Sequence, residues 1–306
     1  MVPADRSNTM NTRPLTGRWA SILAALAVMT AASAALFTVM PSHEGPASPD
    51  TGSPPAKIIS LSPSVTRMIV DLGAGDSVAG VTAYDRPPGP HTRFVGTYIA
   101  PDAERILGLR PDLIILSRYD ESVQDTSRLG LAGIPVRAFP RIRTRADIER
   151  GYRELASLLG RSGEAETKLR EYDLIVRSAP RPHGTPRVAV FIAHEPLVAA
   201  GGASFIDGII RDAGCVNACG ALDKPYPIIS REYLMGMRLD VIISIMEGAS
   251  GFFHELLSGM PPGALKNNCI YSIDPDLICF YTPGDYARAV DGIAKLCAGA
   301  RTNEDR

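Results

Sequence analysis

Residues 104–115 read Glu-Arg-Ile-Leu-Gly-Leu-Arg-Pro-Asp-Leu-Ile-Ile, and residues 232–243 read Glu-Tyr-Leu-Met-Gly-Met-Arg-Leu-Asp-Val-Ile-Ile. Glu, Gly, Arg, Asp and the closing Ile pair stand in register, and the other positions mostly exchange one apolar residue for another. Each copy opens on an acid, Glu104 or Glu232, and runs through a short amphipathic helix. It then turns at Pro111-Asp112 or Leu239-Asp240 and enters an apolar strand. One helix–strand unit used twice, more than a hundred residues apart, predicts two similar α/β lobes, each presenting its acid at the equivalent place.

The chain of 306 residues is long enough for two such lobes, and 45% hydrophobic with 21% charged residues fits full cores. A net charge of -1, with no basic run interleaved with aromatics, excludes nucleic acid as a natural partner. Upstream of the first copy, Lys57 to Leu61 predicts a strand and Ser62-Pro63-Ser64 a helix start running to about Leu72. Gly73-Ala74-Gly75 ends that helix instead of opening one after a strand, so it is no nucleotide-binding fingerprint. Stiff loops carrying Tyr84 and Tyr98 follow, on the same side of the sheet. The second lobe repeats the plan, with a strand from Arg187 to Ala193, His194 at its end, a helix from Phe205 to Ala213 and a stiff loop bearing Tyr226. Between the lobes, apolar residues from Ile148 to Ile175 recur at spacings of three and four, which predicts one helix over 144–178. At about 1.5 Å per residue it would exceed about 40 Å, a strut between lobes.

Arg6, Arg13 and Arg18 precede an uncharged stretch from Trp19 to Met40, the pattern of an export signal. Ala32-Ser33-Ala34 offers a cleavage site, yet the apolar character continues far enough to span a bilayer, so residues 1–40 read both as a signal peptide and as a membrane anchor over 19–40. Residues 41–56 have linker composition. The expected organisation is therefore a first lobe over 57–143, the helix, a second lobe over 186–298 and a tail over 299–306.

In this order, Lys57-Ile-Ile-Ser-Leu-Ser-Pro-Ser, Leu72-Gly-Ala-Gly-Asp, the first copy of the unit from Pro101, Gly202-Ala-Ser-Phe-Ile-Asp, Ala213-Gly-Cys-Val-Asn and Asp274-Pro-Asp-Leu resemble one class of periplasmic solute-binding proteins. These serve ABC importers of vitamin B12, haem and ferric siderophores. The resemblance covers roughly Lys57 to Leu296 and implies two Rossmann-like α/β lobes with central sheets, joined by one long backbone helix. It further implies a monomer that holds a small molecule between its lobes, closes little on binding and docks on a permease dimer. Within the class the similarity is greatest to the vitamin B12 binders, because Thr97-Tyr98 and Lys224-Pro225-Tyr226-Pro227 fall where those place cleft tryptophans. A cobalt corrinoid is the implied ligand. Haem fits less well, since the iron-ligating tyrosine register falls on Thr97. The family's Gly-Pro-Arg is replaced by Gly284-Asp285-Tyr286. The implied ligand residues are Tyr84, Tyr98, His194 and Tyr226. Glu104 and Glu232 are the implied docking acids, and Cys215 with Cys297 an implied disulfide.

Physical chemistry accommodates these roles. Rigid amphipathic rings hold a planar ligand with little entropy loss. Two acids related by an internal pseudo-two-fold match a two-fold partner, and carboxylate–arginine pairs orient it. The competing account of the acids is that both favour helix N-termini. Among enzymes, no second histidine completes a zinc protease motif after His194-Glu195, no Gly-x-Ser-x-Gly elbow occurs, and two glutamates in separate lobes cannot share a scissile bond. Cys215 and Cys219 lack the second pair that a zinc site needs, so no metal site is expected. A membrane-tethered extracytoplasmic sensing module is the alternative of another class.

Overall fold

The computed structural model describes residues 53–117, 133–139, 142–258 and 269–299. The expected signal or anchor, most of the linker, a helix read over 126–134 up to its Gly133 end, and the tail beyond Gly299 lie outside the described residues. No helix among the described residues is long and apolar enough to cross a membrane.

In the first lobe, β1 (Ile58–Ser60), α1 (Pro63–Asp71), β2 (Val78–Val81), β3 (Arg93–Phe94), α2 (Ala103–Leu109), β4 (Leu113–Ser117) and β5 (Val136–Phe139) follow one another. The strands make one parallel sheet in the order β3-β2-β1-β4-β5. The chain works outward from β1 in one direction and then in the other. That reversal leaves a crevice at the carboxyl ends of β1 and β4, where doubly wound sheets bind ligands. Ile59, Leu61, Val95, Ile106, Ile114 and Leu116 form the buried core of this lobe.

The segment expected as one strut is two helices, α3 (Arg145–Leu158) and α4 (Ser162–Ser178). Gly160 lies at φ +66°, Gly160 N–H donates to Ser157 O and Arg161 N–H to Ala156 O. These two bonds close a helix C-terminus and turn the chain. The helices return antiparallel: Arg145 Nη2 lies 2.9 Å from Asp173 Oδ1, and Arg153 Nε 2.7 Å from Glu166 Oε1. Only α4, about 25 Å long at about 1.5 Å per residue, leads into the second lobe.

The second lobe runs β6 (Arg187–Ala193), β7 (Val198–Ala199), α5 (Phe205–Asp212), β8 (Val216–Asn217), α6 (Arg231–Met235), β9 (Val241–Ser244), α7 (Ala249–Leu257), β10 (Ile270–Ser272) and α8 (Pro283–Gly299). Its sheet is ordered β10-β9-β6-β7, with β8 also on β6, and only β7 is antiparallel. Its switch point lies between β6 and β9. The protein is therefore two α/β lobes, each around its own central sheet.

The repeated unit is α2–β4 in one lobe and α6–β9 in the other. Ile106 and Leu234, at the same place in each copy, are fully buried, as are Ile114 and Ile115 and their counterparts Ile242 and Ile243. The shared aspartate has the same work twice. Asp112 N–H donates to Lys57 O at 2.9 Å, and its carboxylate accepts from Lys57 N at 2.8 Å and Ala56 N at 3.0 Å. Asp240 N–H donates to Arg187 O at 2.9 Å and its carboxylate accepts from Arg187 N at 2.8 Å. Each aspartate thus fastens the first strand of its lobe beside the strand that closes the unit.

Candidate functional site

The crevice side of the first lobe is built from the loops after β2 and β3. Asp85 accepts from the N–H of Thr82 at 3.1 Å and from its hydroxyl at 2.5 Å, which closes a tight turn under Tyr84. Burial pushes the Asp85 carboxyl above its ordinary value, against the pull of the Thr66 and Thr82 hydroxyls. Ala83 N–H donates to Gly96 O at 2.8 Å, tying the two loops together. Gly96 sits at φ +94°, and a Cβ there would lie 2.5 Å from Ala100 O, so this turn requires glycine. The result is that Tyr84 and Tyr98 meet, ring centroids 5.4 Å apart at 49°, both half-buried.

In the second lobe His194 leaves the end of β6 and reaches the end of β9, its Nε2 3.0 Å from Ser244 Oγ. Its ring stacks on Phe252 of α7 at 4.2 Å and 2°, with Phe253 edge-on at 5.3 Å. Burial lowers the imidazole pKa below its ordinary value, with Glu195 opposing, so His194 is neutral at pH 7. It therefore stands at the switch point of its sheet. Tyr226 is placed by close backbone approach: Gly201 N–H donates to Pro225 O at 2.9 Å and Ala199 N–H to Pro227 O at 3.0 Å. A Cβ on Gly201 would fall 2.0 Å from Lys224 O. The Asp207 and Asn217 of the family-like motifs are scaffold here. Asn217 Nδ2 donates to Asp207 Oδ1 at 3.0 Å and to Ala200 O at 3.1 Å, behind the glycine pair.

The segment 274–282 reaches the first lobe. Arg67 of α1 pairs with Asp276 at 2.7 Å and lies over the Phe280 ring at 3.7 Å, and Tyr281 N–H donates to Ser64 Oγ at 3.1 Å. Where the family has Gly-Pro-Arg, Asp285 is buried, its N–H donates to Thr282 Oγ1 at 3.0 Å and its carboxylate accepts from the same hydroxyl at 2.7 Å. The altered motif starts α8 and leaves no arginine for a ligand. A Thr-x-x-Asp spacing is a helix-start signal readable in the sequence.

Two further carboxylates mark equivalent places. Asp71 ends α1 and Asp212 ends α5, each followed by an apolar residue and a left-handed glycine, Gly73 or Gly214. An acid at a helix C-terminus opposes the helix dipole and needs compensation. Asp71 accepts from Tyr152 OH at 2.5 Å and Tyr172 OH at 2.6 Å, with Lys168 Nζ at 3.8 Å. Asp212 accepts from Tyr286 OH at 2.9 Å, with Arg145 at 4.0 Å.

Glu104 and Glu232 occupy the same position of their helices, two residues beyond the N-caps Asp102 and Ser230, and both are exposed. Hydrogen bonding from its own N–H, and then from Ser230, holds the Glu232 carboxyl below its ordinary value. All five cysteines are thiols in the structure. Cys297 hydrogen-bonds to Cys215, which lowers the Cys215 pKa and, with burial, raises that of Cys297. The implied pair is thus adjacent but unlinked. Among the described residues no group of His, Cys, Asp and Glu could hold a metal ion.

A vitamin B12-binding protein of Vibrio parahaemolyticus serotype O3:K6 is 23% identical over 252 residues, 80% of this chain and 89% of that protein. One from Pectobacterium carotovorum is 27% identical over 196 residues, 62% of this chain and 71% of that protein. Among solved structures, the periplasmic vitamin B12 binding protein of Vibrio cholerae superposes with a TM-score of 0.66 at 20% identity, covering 80% of this chain and 99% of that one. The periplasmic heme binding protein of the same species gives 0.69 at 21% identity, covering 78% and 98%. The periplasmic binding protein family matches residues 58–277, and the chain belongs to it, as a solute-binding protein of the ABC importer class.

Proposed function

We propose that this protein captures a cobalt corrinoid between its lobes and delivers it to a permease dimer of an ABC importer, acting as a monomer outside the cytoplasm. The observation that carries the ligand reading is the Tyr84–Tyr98 pair at the carboxyl edge of the first sheet, a rigid aromatic wall suited to a large flat macrocycle. Tyr226 and the neutral His194 supply the second lobe's side of the site. The vitamin B12 binders among its relatives support the same class. Glu104 and Glu232, exposed at equivalent helix starts, are the docking acids.

Haem or a ferric siderophore is the second reading, favoured by an imidazole at the switch point that is unprotonated and able to ligate iron. A membrane-tethered sensing module is the reading of another class, resting on the apolar residues 19–40. Calorimetric titration of the purified protein with cobalamin, cobinamide, haemin and a ferric siderophore separates these. Tight binding of a corrinoid alone is expected. Preference for haemin selects the second reading, and binding of none selects the sensing module.

A further inference from the structure

Of the eight large hydrophobic residues exposed among the described residues, five lie on the segments that carry or lead into the two repeated glutamates. Around Glu104 they are Phe94 at 47% exposure, Ile99 at 43% and Leu107 at 41%. Leu107 lies one helical turn from Glu104 on the same face. Phe94 ends β3 and Ile99 lies in the turn between β3 and α2: Asp102 N–H donates to Val95 O at 2.8 Å, Gly96 bridges to Pro101, and Arg105 reaches Phe94 O at 3.5 Å. Around Glu232 they are Ile228 at 60% and Tyr233 at 43%, on either side of the cap Ser230.

We propose that each glutamate is the centre of an apolar collar, Phe94–Ile99–Leu107 in the first lobe and Ile228–Tyr233 in the second, and that the two collars are the desolvating rims of the permease contact. This inference rests on the docking reading above and adds its chemistry: the partner presents, twice, a cation set in an apolar socket. Two acids at pseudo-equivalent places, each flanked by exposed apolar residues, fit a partner with two equal sites. A second copy of this chain is a poor occupant, because collar against collar would set acid against acid. The apolar rim excludes water, so the buried glutamate–cation pair is less screened than an open surface pair. The first lobe, with the larger collar, makes the stronger contact.

The test is binding of the full-length secreted chain to the importer of this class from the same organism, held in lipid nanodiscs, measured at several salt concentrations. Replacing Phe94, Ile99 and Leu107 together by Ser weakens binding at least tenfold, about 1.4 kcal/mol, with the salt dependence kept. Ile228→Ser with Tyr233→Ser gives a smaller loss. Glu104→Lys with Glu232→Lys abolishes binding. Circular dichroism and corrinoid titration confirm that each variant folds. Collar variants that bind like the wild type, while the charge variant does not, overturn the collar and leave the docking acids standing. A charge variant that binds like the wild type, or a wild type that does not bind, overturns both. Dimerisation of the wild type that the collar substitutions abolish assigns the patches to self-association and overturns the proposal.

Discussion

The two lobes share a twelve-residue unit and differ in nearly everything that faces a ligand. Asp112 and Asp240 fasten equivalent strands with the same bonds, and Glu104 and Glu232 begin equivalent helices. By contrast, the first lobe ends its loops in a pair of tyrosines, and the second in a histidine stacked on Phe252. Duplication has kept what holds a lobe together and what would face a symmetric partner, whereas the aromatic loops have diverged. The attachment to the helical connection differs too. Asp71 takes two phenol bonds and a lysine, all from α3 and α4; Asp212 takes one phenol from α8 of its own lobe and a distant Arg145. The first lobe is fixed to the connection through Asp71, whereas the second is held to it by the packing of α8 on α4, where a Cβ on Gly284 would lie 3.0 Å from the Tyr172 ring.

The largest effect on this comparison is expected at the attachment. Tyr152→Phe with Tyr172→Phe leaves the Asp71 carboxylate without its two short bonds, a loss of about 3 kcal/mol, whereas Tyr286→Phe removes one such bond and costs about 1.5 kcal/mol. Urea unfolding of the three proteins measures the difference, and equal losses would remove the asymmetry. The next effect is at His194. Its pKa in the folded protein is lowered below the unfolded value of about 6.5, so the contribution of neutral His194 is present above about pH 6.5 and is lost as the pH falls from there through the lowered folded value. Stability from pH 7.5 to 5.0 is expected to fall more in the wild type than in His194→Gln, and parallel profiles would refute the burial argument. The smallest concerns Cys215 and Cys297. Oxidation of the purified protein should join these two, leaving Cys219, Cys269 and Cys279 as thiols, and peptide mapping without reductant reads the pairing.

Much of this was legible in the sequence because the repeat places its signals in register. The strands around Ile114 and Ile242, the helix starts at Asp102 and Ser230, and the placing of the two tyrosine loops on one side of the sheet follow from local pattern. The helical connection was not legible as two pieces. The apolar spacing continues across Leu159-Gly160-Arg161, since both arms of a helical hairpin bury the faces they turn to each other, and periodicity alone cannot see the reversal. Gly160 was the signal, as a left-handed residue that closes α3. Nor does sequence reveal Phe252 under His194 or the phenols on Asp71, because those contacts join residues 58 to 101 positions apart. Asp285, which stands in place of a family motif, serves the start of α8, and its Thr-x-x-Asp spacing is a signal the sequence does carry.

The division of labour between conserved faces and diverged loops is tested most directly by one double variant, Glu104→Lys with Glu232→Lys, assayed side by side for corrinoid affinity and for uptake through the importer. The account predicts an affinity within about twofold of the wild type, about 0.4 kcal/mol, and uptake reduced to background. Uptake at the wild-type rate would contradict it, and so would a loss of affinity in a variant that folds normally.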